Sequence, residues 1–137
     1  MIKVLPKPKT VNDFKKILKR SFTHGSFSPA LRVINLPLTG RSPNGFIMQV
    51  WDSAYQLTVT CLGELVRVYL HSQNTSELML EWGGSFRDLD YYRYTDEMDA
   101  SMDSLDIYLP ITGDGSHTVF LHHQIQDNHL IHPRTVI

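Results

Sequence analysis

The spacing of hydrophobic residues changes once along the chain, near residue 30. Before that point Val11, Phe14, Ile17, Leu18 and Phe22 recur every three or four positions, with Lys15, Lys16, Lys19 and Arg20 between them. This is the period of an amphipathic helix with a cationic outer face. Thr10 followed three residues later by Asp13 resembles a capping box, and cations crowd the last turns, where the helix dipole favours them. Gly25 and Pro29 mark the helix end. Residues 1–9, with Pro6 and Pro8 among lysines, read as an extended, mobile lead-in.

After residue 30 the period is two. A strand is expected over 31–36, followed by turn chemistry over 39–45, where Asn44-Gly45 suits positive φ. A second strand runs over 46–51. Tyr55–Leu62 alternates most cleanly, with Tyr55, Leu57, Val59 and Cys61 on one face. Gly63-Glu64 turns it into a partner over 65–71, and this hairpin is expected at the centre of the sheet. A strand over 77–82 points Leu78, Leu80 and Trp82 inward and ends at Gly83-Gly84. Residues 85–104 look acidic, aromatic and irregular, with room for a short helix near 96–104. A hairpin of 105–111 with 117–125 and a polar, His-rich tail complete the chain. The fold expected is mainly β, with α+β as the neighbouring class: an antiparallel sandwich or barrel of about seven strands behind one N-terminal basic amphipathic helix. Residues 1–24 form an arm and helix, and residues 25–137 a single β-rich domain.

Length and composition narrow this little further. A chain of 137 residues fits one domain, and 42% hydrophobic residues are enough for a packed core. The single cysteine, Cys61, excludes an intrachain disulfide. No apolar run reaches the roughly 18 residues of a membrane span, and the N-terminus has no signal-peptide h-region, so a cytoplasmic protein is expected.

Charge changes the picture more. Net charge is −1, yet the first 41 residues hold nine basic side chains against Asp13 alone, while the rest of the chain holds four against thirteen acidic ones. A basic arm of this kind meets something anionic: a membrane, a nucleic acid or the acidic face of a second copy. The anionic-surface candidates are Lys3, Lys7, Lys9, Lys15, Lys16, Lys19 and Arg20, with Phe14 and Phe22 as apolar contacts. The helix stripe suits either insertion into an anionic lipid interface or packing on the sheet. Nucleic acid fits less well, because aromatic residues are not interleaved with the basic ones. If the arm is mobile, it can reach the acidic stretch of a neighbouring subunit and give salt-sensitive self-association.

The acidic stretch offers a second candidate surface. Asp88, Asp90, Tyr91, Tyr92, Arg93 and Tyr94 combine carboxylates with residue types favoured at protein interfaces, and read either as a protein-binding loop or as a solvated loop laid on the core edge. His117, His122, His123, His129 and His132 cluster in sequence. The adjacent pair His122 and His123 must diverge on a strand, and no zinc-ligand spacing is present, so no metal or other cofactor is expected; a pH response is the remaining option. Cys61 falls on the apolar face of its strand and reads as a small buried hydrophobe. Nucleophile-elbow, phosphate-loop and dinucleotide motifs are lacking, so catalytic residues are not expected.

A basic N-terminus before a compact β-rich body resembles the layout of small viral matrix proteins. Arg41-Ser42-Pro43-Asn44-Gly45-Phe46, after a strand, is similar to a turn of the rhabdovirus kind. The chain is shorter than those proteins and lacks their proline-rich late-domain motif; its size is nearer that of bornavirus matrix proteins. The resemblance implies a non-catalytic structural protein that forms homo-oligomers at the inner face of a membrane or in a virion. The alternative is an acidic protein-binding module, such as a bacterial immunity or effector-inhibiting protein. A small hydrolase using the His-rich segment is a distant third.

Overall fold

The computed structural model describes residues 2–23, 30–36, 44–51, 54–94, 104–110, 117–121 and 134–136. Ten strands and one α-helix occur among them. The strands are β1 (Ile2–Val4), β2 (Ala30–Leu36), β3 (Gly45–Trp51), β4 (Tyr55–Leu62), β5 (Leu65–Ser72), β6 (Leu78–Ser85), β7 (Asp90–Tyr94), β8 (Ser104–Pro110), β9 (His117–Leu121) and β10 (Arg134–Val136). The helix α1 spans Val11–Thr23 between β1 and β2. Two five-stranded antiparallel sheets result, ordered β1-β7-β8-β9-β10 and β2-β3-β4-β5-β6, in a mainly β, sandwich-like layout.

The meander β2–β6 follows the alternation in the sequence. Its β4–β5 hairpin lies at the sheet centre, paired from Tyr55↔Ser72 to Leu62↔Leu65. Gly63 has φ 58° in the two-residue turn, a conformation that glycine adopts without a Cβ penalty. Register aligns Phe46, Cys61 and Val66 in one inner row, Met48, Val59 and Val68 in the next, and Val50, Leu57 and Leu70 in the third. All nine are buried. Tyr91 of β7 and Ile107 and Leu109 of β8 join the same buried cluster from the other sheet. Hydrophobic burial of this one cluster is what holds the layers together.

Several elements differ from the expectation. The lead-in pairs as β1 with β7 (Ile2↔Tyr94, Lys3↔Arg93, Val4↔Tyr92), and the Leu5 amide continues the ladder to the Tyr91 carbonyl at 2.8 Å. Three residues of strand carry too little alternation to be recognised. Gly83-Gly84 does not end β6, because Gly84 makes room for an indole: a Cβ there would lie 2.6 Å from Trp82 Cζ2. Gly45 opens β3 rather than serving positive φ, since a Cβ would sit 2.3 Å from the Cys61 carbonyl oxygen. Leu78 is exposed, displaced by the register shift at Leu70/His71. The span 85–104, expected to be irregular, contains the end of β6, a 3₁₀ turn (Phe86–Asp88), β7 and the first residue of β8. The helix considered near 96–104 falls outside the described residues except for Ser104, which is in β8. The tail contributes β10, paired with β9.

Cys61 is buried, and its thiol donates to the Gly63 carbonyl at 3.2 Å. Burial pushes the thiol up from its ordinary 9.0 to about 11, since a thiolate would lose its hydration there. The native state therefore favours the protonated form. Its contribution to stability is complete below pH about 9 and is lost as pH rises toward about 11. The urea midpoint is expected to fall more steeply over that window in the wild type than in Cys61→Ala. Thiol reagents are expected to label Cys61 only once the chain unfolds.

Candidate anionic-surface interface

The basic segment is built into the body. Thr10 Oγ1 accepts from the Asp13 amide at 3.1 Å, capping α1 where the helix leaves amides unpaired. Phe14 and Leu18 are each 1% exposed, and Val11 and Ile17 pack against the same core. The Phe14 ring stacks on Phe86 at 5.5 Å and meets Phe46 of β3 at 5.9 Å. Phe14 and Leu18 of the apolar stripe thus lie on the protein and are not available to a membrane. Phe14 and Leu18 of α1 belong to the same buried cluster as the strands of the β-rich body, with Val11 and Ile17 packed against it.

Seating the stripe fixes what faces outward. Lys16, Lys19 and Arg20 are exposed on the opposite side of α1, and Lys15 is half-buried, its Nζ donating to Asn35 Oδ1 of β2 at 3.0 Å. Lys3, Lys7 and Lys9 are exposed along β1 and the segment that follows it. The seven expected cations are therefore carried by one folded, continuous stretch rather than by a mobile tail. Phe14, expected as a surface contact, is a core residue. Phe22 belongs to α1, but its side chain lies outside the described residues.

The acidic stretch is partly consumed internally. Asp88 Oδ2 accepts from the Ser85 amide at 3.0 Å, and Ser85 Oγ accepts from the Arg87 amide at 3.1 Å, a reciprocal cap on the 3₁₀ turn. Asp90 lies 3.9 Å from Lys7 Nζ, which also donates to the Arg87 carbonyl. Lys7 of the basic segment thus meets the acidic stretch within one chain. Tyr91, expected in a binding loop, is 1% exposed and donates its hydroxyl to the Phe86 carbonyl at 2.7 Å. Burial holds that hydroxyl protonated far above its ordinary range, with Cys61 and Asp90 adding to the effect. Tyr92 and Arg93 are half-buried, and Tyr92 meets the Tyr108 ring edge-on at 5.0 Å. The Tyr94 side chain lies outside the described residues.

Among the described residues no three His, Cys, Asp or Glu side chains converge as a metal site. His117 begins β9, whereas His122, His123, His129 and His132 lie outside the described residues. No described helix is long and apolar enough to cross a membrane. Sequence reasoning missed the exposed apolar residues Leu62 and Leu65, which flank the central turn. Their signal was present: both belong to the outward set of their strands, where the neighbours Thr58, Thr60, Arg67 and Tyr69 are polar or amphipathic.

No protein-family model, curated protein or solved structure matches the chain.

Proposed function

We propose that the chain is a non-catalytic structural or adaptor protein that binds an anionic surface through the outward face of β1 and α1. A membrane with acidic lipids is the surface favoured over a nucleic acid, in the matrix-type role that the sequence resemblance implies. The observation that carries this reading is the burial of Phe14 and Leu18, which turns Lys16, Lys19 and Arg20 outward on a fixed scaffold. Cations held in place lose less freedom on binding than cations on a mobile tail. Each Lys or Arg near an acidic bilayer contributes about 1 kcal/mol, so several acting together give useful affinity without any inserted helix.

Self-association remains part of the proposal, by a different route. Among the described residues β2 pairs only with β3, leaving a strand edge that a second copy can extend. The experiment is co-sedimentation of the intact chain with phosphatidylcholine vesicles, with and without phosphatidylserine, at low and high salt. Binding that requires the acidic lipid and weakens with salt supports the reading. Equal or absent binding to both vesicles rejects it.

A further inference from the structure

We propose that two copies of the chain pair antiparallel through Ala30–Leu36 of β2 about a two-fold axis at Val33, joining their β2–β6 sheets into one. This rests on the self-association part of the proposed function and names its contact, register and stoichiometry. The described sheets end on β1, β10, β6 and β2. β1 and β10 are three residues long, and β6 carries a register shift at Leu70/His71 together with Glu81 and Gly83. Shortness, charge and irregularity are the usual devices that keep an edge from pairing. β2 is neither short nor irregular. It runs seven residues in unbroken register with β3, from Ala30↔Trp51 to Leu36↔Gly45, and Arg32 is its one charged residue. Leu31 and Val33 pack against the core from β2 yet are only half-buried, because among the described residues no strand lies beyond them.

The alternation of hydrogen bonds restricts how two such edges can meet. The Gly63 amide donates to the Asn44 carbonyl at 3.0 Å, which makes Phe46–Cys61, Met48–Val59 and Val50–Leu57 the bonded pairs between β3 and β4. The alternate residues of β3 bond to Ala30, Arg32, Ile34 and Leu36. Leu31, Val33 and Asn35 therefore turn their amides and carbonyls to the open edge. Two copies satisfy these groups only where odd-numbered residues oppose odd-numbered ones. Pairing about Arg32 sets two guanidiniums directly opposite each other and uses five residues of β2, and pairing about Ile34 also uses five. Pairing about Val33 uses all seven, with Val33 against Val33 and Leu31 against Asn35 on the core side. On the outer side Arg32 faces Ile34 of the second copy. Its alkyl stem covers a side chain that is 38% exposed in the single chain. A strand of another sequence could meet the same backbone groups, but β2 complements itself in this register, as a closed two-fold contact requires.

The test is sedimentation velocity of the wild type, Ile34→Glu and Ile34→Lys over a concentration series, with a thermal melt of each. Both variants lose the same contact with Ile47 of β3, so a difference between them reports the second copy. The wild type is expected to form dimers and nothing larger. The introduced carboxylate faces Arg32 of the other copy and tightens the dimer, whereas the introduced ammonium opposes it and weakens the dimer. The two dissociation constants are expected to differ by about tenfold or more, at similar melting temperatures. Equal affinity in the two variants overturns this register and leaves self-association standing. Equal weakening of both assigns the axis to Ile34 and overturns it likewise. Growth beyond the dimer assigns β2 to the β6 edge of another copy and overturns the closed pair. A wild type that stays monomeric at every concentration rejects self-association and this contact together, and leaves the basic-face reading to its own vesicle experiment.

Discussion

Replacing Phe14 with alanine is expected to lower the unfolding free energy by about 3–5 kcal/mol, the usual cost of emptying a buried aromatic site. The ring is 1% exposed and touches both Phe46 and Phe86, so no neighbour can close the space without moving a strand or the 3₁₀ turn. Against a total stability of about 5–15 kcal/mol for a domain, this is a large fraction. Removal of the whole segment through Thr23 takes away α1 and the β1 edge together, and that chain is expected not to fold. Urea titration monitored by tryptophan fluorescence measures the first effect. Had α1 been a free membrane-seeking helix, Phe14→Ala would leave the midpoint where it was and lower only lipid binding.

Reversal of exposed charge should have the opposite profile. In Lys9→Glu/Lys16→Glu/Arg20→Glu three cations become anions, and all three positions are exposed. At about 1 kcal/mol for each cation lost near an acidic surface, affinity for phosphatidylserine vesicles is expected to fall by a factor of about one hundred or more. Exposed substitutions away from caps and buried contacts typically change stability by less than about 0.5 kcal/mol each, so the fold should persist. A circular dichroism spectrum and urea midpoint near those of the wild type, beside lost vesicle binding, would separate the interface from the core. The Phe14 variant acts on the buried face of α1 and the charge reversals on the exposed face of α1 and the segment before it, so together they should dissociate stability from binding.

The helix and the central meander were legible because each repeats one period long enough to outweigh local composition. Val11, Phe14, Ile17 and Leu18 define one face of α1, and Leu57, Val59 and Cys61 define one face of β4. The helix stripe was equally compatible with lipid and with protein, since periodicity gives the direction of the apolar face but not its partner. That decision lies in Phe46 and Phe86, which are distant in sequence and meet Phe14 only in the folded state. The strand β7 was hidden for another reason. Asp90-Tyr91-Tyr92-Arg93-Tyr94 shows no hydrophobic alternation because tyrosine serves on either face: Tyr91 is buried with its hydroxyl satisfied, while Tyr92 is half-exposed. Glycine was misread where it answers crowding rather than turning. Gly45 and Gly84 sit within strands because a backbone oxygen and an indole, respectively, occupy the space of a side chain.

Amide hydrogen exchange across α1, with and without acidic vesicles, tests most directly whether the basic segment is a folded face or an arm that orders on binding. The account predicts that amides from Ile17 to Arg20 exchange as slowly as those of β4 and β5 in the free protein. Their protection should change little when vesicles are added. Rapid exchange in α1 without lipid, with protection gained only on vesicles, would contradict it.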